Sequence, residues 1–144
     1  MPARTAARME GIGMENLNGW AIVLAAVCSF LLGGPWYSSA LFGKAWNREA
    51  KSSQPAGSGH PAKVFGLSFV FSLIAAAAFA WWLGPKPPLQ SALGSGLLVG
   101  ACFVATSFGI NYQFANRSTL MWLIDGGYHV AQFVLFGLVL GLWH

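Results

Sequence analysis

Acidic side chains are almost missing from this chain: Asp and Glu together number 4 in 144 residues, Lys and Arg 8, and charged residues are 8% of the whole, where a soluble domain carries about 25%. Such a chain cannot cover the surface of an ordinary water-soluble fold. Cysteine is scarce too. Cys28 and Cys102 are the only two, both inside apolar runs where a thiol behaves as a small hydrophobe, so neither a disulfide nor a metal site is expected. Also missing are the spacings that carry enzyme chemistry, namely HExxH, a nucleophile elbow, paired carboxylates and a glycine loop for phosphate. No catalytic residue and no cofactor are therefore expected.

What the chain does have is length without charge. No charged residue falls between Asn16 and Gly43, between Val64 and Pro85, or between Pro87 and Asn116, and Asp125 alone interrupts the run from Ser118 to His144. Each run can supply the ~20 residues that a spanning helix needs. Backbone groups in hydrocarbon must be satisfied within their own segment, and the runs lack the alternation of barrel strands. The expected fold is all-α, a polytopic membrane protein whose spans at 20–42, 64–83, 89–112 and 119–143 form one antiparallel four-helix transmembrane bundle. Pro35, behind Gly33 and Gly34, lacks an amide donor and is expected to kink the first span. Residues 1–13 read as a mobile tail before a single domain over 14–144, with Met14 an alternative start. The loop at 43–63 reads as irregular from its Ser, Pro, Gly and Lys content.

Short connections at 84–88 and 113–118 force neighbouring spans to run antiparallel, which puts both termini on one face. Lys44, Arg48, Lys51, Lys63 and Arg117 gather on the other, against Arg4, Arg8 and Lys86. The positive-inside rule assigns the richer face to the cytoplasm and both termini to the outside. This basic excess points to anionic membrane lipids as partners, with no nucleic acid. Trp20, Trp81, Trp82 and Trp143 mark one headgroup level; Trp46, Tyr112 and Trp122 mark the other.

Two helix faces stand out. On the third span Gly96, Gly100, Phe103, Ser107 and Asn111 recur at steps of three and four, and Gly96 with Gly100 forms a small-xxx-small pair suited to close helix packing. On the fourth, Asp125, Tyr128, His129 and Gln132 point one way, with Phe136 continuing in apolar form. Asp125 needs a partner, and Lys44, Lys63 and Arg117 are the candidate cations, with Trp36, Tyr37, Asn111 and Asn116 approaching the same layer. Two readings stay open: an ion-paired, hydrogen-bonded lock that fixes helix register, or a site that binds a cation or passes protons.

Certain motifs add a resemblance. Trp36-Tyr37, Leu41-Phe42-Gly43-Lys44-Ala45-Trp46, Asn111-Tyr112 and Leu123-Ile124-Asp125-Gly126-Gly127-Tyr128 occur in this order. Over about 14–143 the chain resembles the bacterial membrane family called domain of unknown function 1761. The resemblance implies a small four-helix inner-membrane protein and brings no established reaction, ligand or catalytic residue. The expected function is non-enzymatic helix association, as a homo-oligomer or an accessory subunit of a membrane complex. The alternative is a small oligomeric transporter or channel with a polar site around Asp125.

Overall fold

Residues 13, 16–51 and 60–144 are described by the computed structural model. The expected tail, apart from Gly13, and the Ser/Pro/Gly-rich part of the first loop lie outside them. Among the described residues five helices follow one another: α1 Gly19–Trp36, α2 Gly43–Lys51, α3 Pro61–Leu83, α4 Leu89–Phe114 and α5 Thr119–Leu142. All but α2 are long and apolar enough to cross a membrane, and among the described residues there is no strand. The chain is an all-α, four-helix transmembrane bundle.

Local chemistry sets the helix ends. Asn18 Oδ1 accepts from the amides of Trp20 at 3.1 Å and Ala21 at 3.2 Å, satisfying donors that the first turn leaves free. The other end departs from the expected span at 20–42, because α1 stops at Trp36, one residue beyond Pro35. Ser38 donates to the Pro35 carbonyl twice, from its amide at 3.2 Å and its hydroxyl at 2.7 Å. The chain then turns back through 37–42. Gly43 closes that turn: its amide donates to Ser38 O at 2.8 Å, and a Cβ there would strike the carbonyls of Tyr37 and Ser38. Pro35 thus lies in the last turn of α1, just ahead of the turn at 37–42. The loop is not irregular throughout, since α2 occupies 43–51 and buries Gly43 and Ala50 on one face.

Beyond α2, Gly84 at φ 75° closes α3. At the end of α4, Asn116 takes φ 52° while its amide donates to Gln113 O at 3.2 Å and that of Arg117 to Tyr112 O at 2.9 Å. This paired closure lets a sharp connection reach α5, which Ser118 Oγ caps by accepting from Met121 N at 3.1 Å.

Helix α5 is the hub. It packs against α1, α2 and α4 and touches α3, whereas α3 lies mainly on α1 and α4 mainly on α5. Ala21, Ala25, Ala26, Ala76, Ala80, Phe79, Phe133 and Phe136 fill the core between α1, α3 and α5. Against α4 the approach is closer still. A Cβ on Gly96 would strike the Phe133 carbonyl, one on Gly100 would lie 2.7 Å from Val130 Cα, and one on Gly137 would strike the Ala92 carbonyl. Glycines from both helices thus let two backbones meet.

The expected α4 stripe breaks halfway. Gly96 and Gly100 are buried, but Phe103 is 58% exposed, and Ser107 and Asn111 are exposed as well. The cause is a π-helical segment, Val99–Val104. One extra residue per turn rotates everything after it by about 100° relative to a continuous α-helix. The face toward α5 therefore runs Ala92, Gly96, Gly100, Ala105, Gly109 and Tyr112, with a single step of five.

Candidate functional site

Asp125 lies near the α2 end of the bundle and is 7% exposed. Its Oδ1 accepts from Tyr37 Oη at 2.7 Å and from Trp46 Nε1 at 3.0 Å, and its Oδ2 from Tyr112 Oη at 2.6 Å. The donors come from three elements: the 37–42 turn places Tyr37, α2 places Trp46, and the π-shifted second half of α4 places Tyr112. Burial, then the hydrogen bond to Asp125, pushes the Tyr37 phenol far above its usual range, so it remains a donor.

This geometry corrects the expected ion pair. Lys44 and Lys63 are exposed, and among the described residues no Lys or Arg forms a salt bridge with Asp125. Arg117 is half-buried beyond Tyr112, and its Nη1 is shut in without a hydrogen-bond partner. Asn111 is exposed because the π segment brings its neighbour Tyr112 to the carboxylate instead. Of the aromatic residues expected at this level, Trp46 and Tyr112 turn toward Asp125, and Trp122 Nε1 donates to Ala105 O at 2.8 Å.

Other residues on the α5 face behave as donors and links. Trp36 Nε1 donates to Ile124 O at 3.0 Å, its ring lying where a Cβ on Gly127 would approach within 3.2 Å. Tyr128 Oη donates to Ser29 O at 3.0 Å, tying α5 to α1. One turn deeper than Asp125, His129 Nδ1 meets Gln132 Oε1 at 2.7 Å, Gln132 Nε2 donates to Ser72 Oγ at 3.3 Å, and Ser72 Oγ lies 2.9 Å from Ser29 Oγ. Ser29 Oγ is 3.0 Å from Ala26 O. Because the Gln132 amide donates to Ser72, its oxygen faces the imidazole, and His129 Nδ1 carries the hydrogen. No hydrogen bond joins Asp125 to His129, so two networks exist, a carboxylate clamp and an interior polar run.

Trp46, Ser29 and Ser72 were not singled out as partners of this face by the sequence. For the serines the available signal was a hydroxyl inside an apolar run; for Trp46 it was an aromatic closing a motif. Among the described residues no three His, Cys, Asp or Glu side chains gather as a metal-binding group. A partly open cavity of about 210 Å³ sits at the opposite end of the bundle, lined in part by Asn16, Asn18, Lys86 and Trp143.

The family model described as "Protein of unknown function (DUF1761)" matches residues 20–141. This chain belongs to DUF1761. The matched stretch of this DUF1761 protein takes in every member of the clamp and of the interior run. Among curated proteins and among solved structures nothing matches the chain.

Proposed function

We propose that this DUF1761 protein is a non-enzymatic membrane component that acts by association, as a homo-oligomer or as an accessory subunit of a membrane complex. The observation that supports this is the peripheral position of α4, which packs mainly on α5 and leaves Ser91, Gly94, Cys102 and Thr106 exposed. Small side chains on an outer helix face let a second helix come close. The Asp125 clamp, in this reading, is the lock that keeps the protomer in one shape. We assign the protein to a bacterial inner membrane with the α2 face in the cytoplasm, on the excess of basic residues there.

The test is particle mass after mild extraction and in native-membrane discs, for wild type and Gly94→Trp. A Cβ at Gly94 meets nothing within 4 Å in the protomer, so the variant is expected to fold and to lose its partners. A wild type that is strictly monomeric and alone in every medium overturns the proposal.

A second reading, a small oligomeric transporter or channel for ions, protons or a small solute, is favoured by the hydrogen-bonded run His129–Gln132–Ser72–Ser29. Liposome flux decides it. Absence of flux for every ion tested, or equal flux in wild type, Asp125→Asn and Gln132→Leu, removes it.

A further inference from the structure

Among the described residues α2 is the one helix too short and too polar to cross a bilayer, and the 37–42 turn joins it to the end of α1. Its nine residues divide cleanly. Gly43 and Ala50 are buried, and Trp46 between them reaches inward to Asp125. Lys44, Arg48 and Lys51, at i, i+4 and i+7, are exposed on another face. Glu49 approaches Arg48 Nε at 3.5 Å but leaves the Arg48 side chain 71% exposed. Immediately before the helix, Leu41 and Phe42 are exposed apolar residues, 56% and 38%. A basic face next to exposed apolar side chains, set at the end of a bilayer-crossing helix, is the pattern of a helix lying in the headgroup layer.

We propose that the outer face of α2 is a docking surface for anionic lipid headgroups, and that Trp46 links this docking to the Asp125 clamp. The charge is complementary: three cations and one acid on α2 meet a surface of phosphate monoanions. The position favours lipid over a soluble acidic partner, because the 37–42 turn from α1 and the Trp46 bond to α5 keep α2 at the end of the spans, the level that headgroups occupy. The link is geometric. Trp46 donates to the same Oδ1 that Tyr37 uses, so any movement of α2 away from α5 lengthens a bond to the buried carboxylate. Lipid that holds α2 in place therefore holds the clamp closed. This surface is independent of whether the protein associates through α4.

The full chain is reconstituted in discs of phosphatidylcholine alone or mixed with phosphatidylglycerol. Exchange of the Trp46 indole hydrogen is followed by nitrogen-15 magnetic resonance, the signal assigned with Trp46→Phe. Phosphatidylglycerol is expected to slow this exchange at least about tenfold, on the strength of three basic side chains near the surface. The combined variant K44Q/R48Q/K51Q is expected to lose that dependence, whereas Lys63→Gln, on the same face but outside α2, keeps it. Raised salt imposes the same loss on wild type, so the proposal stays testable if the triple variant fails to fold. Equal exchange in the two lipids at low salt overturns the proposal. So does full slowing in phosphatidylcholine by inorganic phosphate or a soluble acidic peptide, which would make the ligand something other than lipid.

Discussion

Removing the Asp125 carboxylate strands the Tyr37 and Tyr112 hydroxyls and the Trp46 indole at once. Each buried donor left unsatisfied costs about 1 to 3 kcal/mol, so Asp125→Ala is expected to lower stability in detergent by about 3 kcal/mol or more, read as a large drop in Tm. Asp125→Asn keeps one acceptor oxygen and is expected to fall between. An unchanged melting profile for Asp125→Ala would mean that these bonds do not hold the bundle. A sharper comparison lies at two adjacent positions. Tyr112→Phe is expected to cost about 1 to 2 kcal/mol, since it removes a charge-assisted bond, while Asn111→Ala changes Tm little because that side chain is exposed. Asp125, Tyr128, His129 and Gln132 were legible in the sequence because polar residues on one face of an apolar helix must find partners. The identity of those partners was not. Choosing Tyr112 over Asn111 requires the π segment, and choosing Trp46 over Lys44 requires the turn after Pro35; neither leaves a periodic trace.

At the scale of helices, the α4–α5 seam is intolerant of side chains where the two backbones meet. Gly96→Leu would drive its side chain into the Phe133 carbonyl and is expected to cost about 3 kcal/mol, whereas Gly94→Leu, with open space around its Cβ, is expected to be near neutral. Equal Tm shifts would place the seam elsewhere. The π segment makes a further and less intuitive expectation. Deleting Ala101 takes out the extra residue of Val99–Val104, so a plain α-helix then presents the same face to α5, and Tm is expected to change little. Deleting Ala131 from α5, which has no such bulge, rotates Asp125 away from the Phe136 layer and is expected to prevent folding. Apolar runs announced the four spans, since hydrocarbon leaves few alternatives. They did not announce α2, because a nine-residue stretch with five polar side chains beside a Ser-, Pro- and Gly-containing loop resembles a linker until Trp46 and Ala50 are seen to share a face.

For the molecule as a whole, an even number of crossings places residues 44 and 117 on the same side. Lys44→Cys and Arg117→Cys are expected to react with a membrane-impermeant thiol reagent from that one side only, in intact cells and inverted vesicles compared. Labelling from opposite sides would end the four-span topology. The hub arrangement is a property of the assembled chain that run lengths do not reveal, because any of the spans has the length to be central. Glycines at 96, 100 and 137, Asp125 and the aromatic donors single out α5 once they are seen together.

Of the four described spans, α5 follows the other three in the chain. Without it, Tyr37, Trp46 and Tyr112 lack the carboxylate they share, and the glycine face of α4 lacks the backbone it rests on. Helices α1 and α3 already have each other to pack on, through Ala25, Ala26, Ala76 and the Ser29–Ser72 hydroxyl pair, whereas α4, which lies mainly on α5, does not. A chain stopped short of α5 is therefore expected to keep the α1–α3 pair while the clamp donors and the glycine seam of α4 stay unfilled.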